Sequence, residues 1–96
     1  MISLVVKVRA KPGQLEELRQ ATLETAQAVR TNEPDNALFV FGDTPEGNGI
    51  IILERYRDEN AMEVHRGMPH FKEKGRLMGQ FMDGRPEVLY RFDECG

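Results

Sequence analysis

Two segments of this chain are apolar at every position. Residues 37–41 read ALFVF and residues 50–53 read IIIL. Successive side chains of a β-strand point to opposite faces, so a strand with one face in water alternates apolar and polar residues. These two segments do not alternate, and as strands they are predicted to be buried on both faces. The fold must therefore supply an apolar cover on each side of its sheet.

The spacing of apolar residues along the rest of the chain predicts further strands and helices. Period-two alternation indicates a strand, and apolar residues three and four apart indicate an amphipathic helix. The first predicted elements are a strand at residues 2–9, a helix from Pro12-Gly13 to residue 30, and strands at 37–41 and 50–57. A short helix follows Asp58 and stops at Gly67, and a helical run extends from Pro69 through Met82. The last element is a strand at 88–92, in which Val88, Tyr90 and Phe92 share one face. A turn is predicted at residues 32–36 and a hairpin loop at 42–49.

This order, βαββαβ, is the split βαβ or ferredoxin-like arrangement of the α+β class. It predicts a single domain spanning residues 1–96, built on a four-stranded antiparallel sheet with the helices on one face. The other face would then lie in water, at a cost of about 1.5–3 kcal/mol for each large apolar side chain. We therefore expect a homodimer in which two sheets pack face to face.

The charge balance excludes several classes of partner. Thirteen Lys and Arg residues against 16 Asp and Glu residues give a net charge of −3, which disfavours nucleic acid and anionic membranes.

No apolar run approaches the ~20 residues of a membrane span, and residues 1–7 lack the features of a signal peptide. The single cysteine allows no disulfide within the chain, so a reducing, cytoplasmic location is expected.

Motifs that bind cofactors or metal ions are missing from the sequence. The glycines of residues 42–49 are followed by no helix and no Lys-Ser/Thr pair, and no dinucleotide fingerprint occurs. The two histidines, His65 and His70, are five residues apart and would diverge by ~140° on one continuous helix. Without a His-Glu-x-x-His or Cys-x-x-Cys motif as well, neither a cofactor nor a metal ion is predicted.

Three residues are candidates for proton transfer. Imidazole suits that role near neutral pH, which singles out His65 and His70, although either can instead cap a helix or fill a surface position. Glu54 shares a strand face with Ile52 and Tyr56. A carboxylate on a buried face needs a partner. The sequence leaves open whether Glu54 pairs with an arginine or acts on a substrate.

Candidates for substrate binding are of three chemical types. Tyrosines supply hydroxyls, methionine and phenylalanine can cradle a flat aromatic guest, and the excess of basic residues between positions 65 and 76 favours an anionic substrate group. Each type also has a structural alternative, which is packing, core formation or a solvated helix face. The candidates are Tyr56, Tyr90, Met68, Phe71, Arg66 and Lys72.

Residues 54–71, ERYRDENAMEVHRGMPHF, resemble the central block of the antibiotic biosynthesis monooxygenase family, Glu-x-aromatic-x-Asp-x-x-Ala-x-x-x-His followed by Pro-His-Phe. The segments at residues 11–13, 33–34 and 84–88 match the family's layout as well.

The resemblance implies a dimeric α/β barrel. Some members oxidise quinols or phenols with dioxygen and no cofactor, others degrade haem, and a relative isomerises phosphorylated autoinducer-2. The chain has no tryptophan, and Gly75 stands where the haem histidine would be, so haem degradation is not expected.

The resulting functional prediction is a cofactor-independent monooxygenase that oxidises a small aromatic or quinol-like molecule. His65 is the first candidate base and His70 the second, while Glu54 and Tyr56 orient the base or hold the substrate oxygen. The alternatives are an isomerase of a phosphorylated or hydroxylated ketone, with Arg66 or Lys72 binding the anion, and a dimeric ligand-binding domain without catalysis.

Overall fold

The computed structural model describes residues 1–33 and 37–95, which form four strands and three helices. In chain order these are β1 (Ile2–Arg9), α1 (Leu15–Asn32), β2 (Ala37–Asp43), β3 (Gly49–Tyr56), α2 (Glu59–Gly67), α3 (Pro69–Gly79) and β4 (Glu87–Asp93). The predicted ferredoxin-like α+β fold is thereby confirmed, with the second helical segment divided into α2 and α3 as expected. The turn predicted at residues 32–36 lies partly outside the described residues.

The sheet is antiparallel throughout, with strand order β2-β3-β1-β4. Side chains opposite each other in such a sheet lie on the same face. On the helix side, Val6 of β1 lies opposite Ile52 of β3. On the other side, Val5 lies opposite Leu53. Even-numbered residues of β1 and β3 therefore face the helices, and odd-numbered residues face the other side.

The hydrophobic core fills the space between the helices and one face of the sheet. Alternate residues of β1 and β3 are buried there against the apolar stripe of α1. The buried side chains that form this interface include Leu4, Val6, Val8, Ile50, Ile52, Leu18, Ala26 and Val29.

The opposite face of the sheet is apolar and exposed. Leu38, Leu53, Tyr90 and Phe92 are exposed by 39–69% of their surfaces. Residues 38–41 and 50–53 of the apolar segments therefore have one face in the core and one face open in the single chain.

Strand β4 departs from the predicted alternation. Its pairing with β1 shifts register between Val5, which faces Tyr90, and Val6, which faces Val88. Leu89 is the extra residue between them. The prediction that Val88 shares a face with Tyr90 and Phe92 is therefore wrong, because this β-bulge moves Val88 to the helix side.

The ends of the short helices follow the local sequence signals. The Asp58 carboxylate accepts a hydrogen bond from the Ala61 N–H at 2.8 Å, as an N-cap does. Met68 is extended between α2 and α3, and Pro69 opens α3. The helix ends at Gly79 rather than at Met82, because the following backbone pairs with the end of β1 instead: the Lys11 N–H donates to the Phe81 carbonyl at 2.9 Å.

None of the helices within residues 1–33 and 37–95 is long and apolar enough to cross a membrane.

Candidate active site

One buried carboxylate, that of Glu33, contacts both histidines. Its Oε2 lies 2.9 Å from Nδ1 of His65 and 2.8 Å from Nε2 of His70. Glu33 and His65 are each 1% exposed. A carboxylate accepts hydrogen bonds, so both ring nitrogens donate to it. The three side chains form one hydrogen-bonded cluster.

The break between α2 and α3 brings the histidines together. His65 lies in the last turn of α2 and His70 in the first turn of α3, with the extended Met68 between them. The divergence of ~140° expected on a continuous helix therefore does not apply. Glu33 directly follows α1, where its own N–H donates to the Val29 carbonyl at 2.8 Å. Three helix ends thus meet at one carboxylate.

The imidazole of His65 is enclosed by aromatic rings. Its centroid lies 5.1 Å from the Tyr56 ring and 4.0 Å from the Phe71 ring. Its Nε2 is buried and has no hydrogen-bond partner among the described residues. Since Nδ1 is the ring nitrogen that contacts Glu33, Nε2 is left as an unused polar atom in an apolar environment.

A second polar pair lies on β3, where the Tyr56 hydroxyl donates to Oε1 of Glu54. Burial raises the pKa of the Tyr56 phenol far above its usual value, and the Glu54 carboxylate raises it further. Tyr56 therefore stays protonated and serves as a hydrogen-bond donor. The partner of Glu54, which the sequence left open, is this tyrosine rather than an arginine.

A cavity of about 440 Å³ lies between the sheet and α3. Its only charged lining residues among those described are Glu54 and Arg85. Phe71 lines the cavity and also packs on His65, so the histidine cluster lies behind the cavity wall. The apolar lining further includes Val6, Val8, Phe39, Ile52, Met78 and Met82.

Glycines provide part of the space in this cavity. Gly75 and Gly79 are one turn apart on α3 and both line the cavity. A Cβ atom built at either position would meet nothing within 4 Å. A larger side chain at these positions would therefore project into the cavity.

The structure brings together five of the nine residues predicted for the site, which are Glu54, Tyr56, His65, His70 and Phe71. The other four neither line the cavity nor join the polar contacts of these residues. Tyr90 is 69% exposed on the open face of the sheet. Lys72 borders a separate surface depression, Arg66 is exposed, and Met68 connects the two short helices.

Two residues of the site were missed from the sequence. Glu33 looks like an ordinary residue of a turn, and its contacts with the histidines span 32 and 37 positions. Only its place in the turn that resembles the family's layout pointed to it. Arg85 was interpreted only as part of the segment that ends the helical run.

Within residues 1–33 and 37–95, no group of three or more His, Cys, Asp or Glu side chains is arranged to hold a metal ion.

Comparison with known proteins identifies relatives along the chain. The sequence profile described as "Antibiotic biosynthesis monooxygenase" matches residues 1–74. The protein named "Putative monooxygenase YcnE" of Bacillus subtilis is 31% identical over 72 residues, which cover 75% of this chain and 76% of the relative. "Putative monooxygenase Rv0793" of Mycobacterium tuberculosis is 25% identical over 97 residues, covering 98% of this chain and 94% of the relative.

The fold is also similar to solved structures. The crystal structure described as a "putative antibiotic biosynthesis monooxygenase" from Caulobacter crescentus has a TM-score of 0.88 and 28% sequence identity. That comparison covers 99% of this chain and 90% of the other.

Proposed function

Because the chain belongs to the antibiotic biosynthesis monooxygenase family, we propose that it oxidises a quinol-like or phenolic small molecule with dioxygen, without a cofactor. The observation that carries the proposal is the position of Glu54, a carboxylate on the wall of an otherwise largely apolar cavity. Such a cavity suits a flat, apolar guest. The carboxylate provides a base where a phenolic hydroxyl can reach it.

In the proposed mechanism the substrate supplies the electrons. Glu54 accepts the phenolic proton, and the resulting phenolate passes one electron to dioxygen. The two radicals combine at a ring carbon that carries hydrogen, and the peroxide takes up the proton held by Glu54 to become a hydroperoxide. Loss of the C–H proton from that carbon then breaks the O–O bond. One oxygen atom stays in the product as a carbonyl, and the other leaves as hydroxide, which the released proton converts to water. The apolar lining excludes solvent while these intermediates exist.

Tyr56 assists this step by holding Glu54. Its hydroxyl donates to Oε1, which leaves the other carboxylate oxygen free to accept a proton from the substrate. A hydrogen bond to the charged form also fixes the orientation of the carboxylate. Tyr56 is therefore a positioning residue in this proposal.

His65 and His70 stay candidate bases, as predicted from the sequence. The geometry favours Glu54, because it lines the cavity whereas His65 is 1% exposed and lies behind Phe71. In this proposal the cluster around Glu33 supports the cavity wall through Phe71. A direct comparison of Glu54 and His65 variants decides between the two assignments.

The experiment that tests the function is dioxygen consumption with a panel of quinols, naphthols and anthrones. Purified protein should consume one dioxygen per product molecule, and label from ¹⁸O₂ should enter the product. A second readout is the absence of released hydrogen peroxide, since the second oxygen atom leaves as water. No uptake above the rate of spontaneous oxidation with any compound would refute the proposal.

One observation favours isomerisation of a phosphorylated or hydroxylated ketone as the second candidate. A carboxylate and a guanidinium, those of Glu54 and Arg85, line the same cavity. Such a pair can remove a proton next to a carbonyl and bind an anionic group. The test is exchange of that proton in D₂O without dioxygen uptake. If both assays are negative while small molecules still bind, the domain is a non-catalytic binding module.

We propose as well that the protein is a homodimer joined through the open face of its sheet. The support is the row of exposed apolar side chains on that face, including Leu53, Tyr90 and Phe92. Isolated monomers rarely expose a continuous apolar patch of this kind. A second copy offers the same apolar surface and buries both at once.

A further inference from the structure

Arg85 is the one cationic residue that lines the apolar cavity in the described part of the chain. The other charged lining residue is Glu54, whose Oε1 is bonded to the Tyr56 hydroxyl. Within residues 1–33 and 37–95, no carboxylate forms a salt bridge with Arg85. Its guanidinium is therefore available to a ligand.

The backbone around Arg85 is held in place. Gly84 has a φ of 86°, a conformation that other residues adopt only with strain, and Pro86 fixes the φ on the other side. Just before this turn, the Asp83 N–H donates to the Arg9 carbonyl at 2.8 Å. The turn is thus tied to the end of β1, which keeps the base of the Arg85 side chain at the cavity.

The chemistry of the lining determines which ligand suits this position. An anion that enters an apolar cavity loses hydration and needs a charged partner. Guanidinium can supply two parallel hydrogen bonds to a carboxylate, and such charge-assisted bonds are stronger than neutral ones. A cavity of about 440 Å³ has the size of small-molecule sites. The apolar lining packs against the body of the ligand, and the Arg85 guanidinium pairs with its anionic group.

We propose that the substrate is an aromatic acid, whose ring lies in the cavity and whose carboxylate pairs with Arg85. Neither Arg66 nor Lys72, where the sequence predicted the anion site, lines this cavity. Since the proposal rests on the proposed function for the choice of cavity, it is tested by binding alone. Turnover is measured separately.

The experiment compares two probes of the same shape, 2-naphthoate and the uncharged 2-naphthamide, by calorimetric titration. The wild type should bind naphthoate at least about tenfold more tightly than naphthamide, the effect of one charge-assisted pair. Arg85→Gln should remove this preference, and Arg85→Lys should keep part of it. The matched controls Lys72→Gln and Arg66→Gln should keep it fully.

Three outcomes would overturn the proposal: an unchanged preference in Arg85→Gln, loss of the preference in Lys72→Gln or Arg66→Gln, or no binding of either probe by the wild type. Melting temperatures confirm that the variants are folded, which is expected because Arg85 is exposed and makes no salt bridge with the described residues. If the carboxylate preference holds while no quinol supports dioxygen uptake, the proposed function fails and the aromatic-acid site stands. If uptake is found without a carboxylate preference, the aromatic-acid site fails and the proposed function stands.

Discussion

Nδ1 of His65 lies 2.9 Å from Oε2 of Glu33, and each of the two side chains is 1% exposed. Removal of Glu33 leaves Nδ1 of His65 buried without its hydrogen bond, whereas removal of His65 leaves Glu33 with the His70 contact alone. Because such a group loses its hydration and gains nothing in return, the pair is more sensitive to mutation than any surface ion pair of this chain.

Glu33→Ala should lower the free energy of unfolding by about 2–5 kcal/mol, because it leaves two histidines without their acceptor. Glu33→Gln should cost less, since the amide oxygen still accepts a hydrogen bond. Urea unfolding followed by circular dichroism measures both. Glu24→Ala, which removes an exposed carboxylate paired with Lys74 at 3.5 Å, is the control and should cost at most about 1 kcal/mol. Equal losses for Glu33→Ala and Glu24→Ala would contradict the structure.

The proton on the His65 ring should reside on Nδ1 in the wild type. The expected result follows from the Glu33 contact, which selects the tautomer that donates from Nδ1. Nitrogen-15 spectra of histidine-labelled protein distinguish the two ring nitrogens. Glu33→Gln weakens the selection, so its spectrum should show a mixture of tautomers. A wild-type ring protonated at Nε2 alone would show that the contact is arranged differently.

Glu54→Gln should reduce dioxygen uptake by roughly 10²–10⁴, the usual effect of losing a general base. The melting temperature should change little, because glutamine can still accept the Tyr56 hydrogen bond. Tyr56→Phe should reduce uptake less, since it removes a positioning contact only. His65→Gln is the decisive comparison. If it loses turnover at unchanged stability while Glu54→Gln stays active, the base is His65.

Gly75→Leu should block the cavity without unfolding the protein. Gly75 lies inside α3 and has no neighbour within 4 Å of a built Cβ, so a side chain fits and projects into the cavity. Gly75→Ala should even stabilise the helix by about 0.5–1 kcal/mol. Binding of 2-naphthoate should fall at least about tenfold in Gly75→Leu. Gly67→Leu, outside the cavity, is the control, and equal binding by both variants would refute the cavity assignment.

Leu53→Lys should convert a dimer to monomers. Leu53 is 39% exposed and lies between Val5 and Val40 on the open face, so a lysine there would bury a charge against the partner sheet. Sedimentation at micromolar concentration should give twice the 11.0 kDa chain mass for the wild type and the single mass for the variant. The control Gln20→Lys adds the same charge at an exposed position of α1, and this variant should stay dimeric. A monomeric wild type would rule out the sheet-to-sheet homodimer.

Glu94→Gln should weaken the dependence of stability on acid pH. The Arg55 guanidinium, at 2.7 Å, and the Ser3 hydroxyl lower the pKa of the Glu94 carboxyl in the folded state. A lowered folded pKa adds stability above the unfolded value of ~4.3, and this contribution is lost as the pH falls through the folded pKa. The free energies of unfolding of the wild type and the variant should therefore approach each other as the pH falls below 5. Parallel curves, or the same change in the control Glu87→Gln, would contradict this role of Glu94.

Local periodicity was sufficient to predict most of the fold. The strands, the amphipathic α1, the Asp58 cap and the break before Pro69 each depend on residues close in sequence, where spacing and capping preferences act directly. The open apolar face followed from the same pattern. The bulge at Leu89 could not be predicted in this way, because a register shift depends on the partner strand as well.

The site was predicted only in part, for a related reason. Glu54, Tyr56 and Phe71 were identified because their residue types stand out within their elements. The convergence of His65 and His70 on Glu33 requires three helix ends to meet, and no local pattern encodes contacts across 32 positions. Arg85 belongs to the cavity because its turn is bonded to the end of β1, which is again a tertiary contact.

The extra residue in β4 also affects how separate molecules can associate. An intact edge strand offers a regular row of free N–H and C=O groups to which a strand of another molecule can add. The bulge at Leu89 interrupts that row and increases the local twist of β4. Edge-to-edge growth into fibrous aggregates is therefore disfavoured at β4, although Tyr90 and Phe92 beside it are exposed. Deletion of Leu89 would make the edge regular, and the shortened chain should aggregate faster at high concentration.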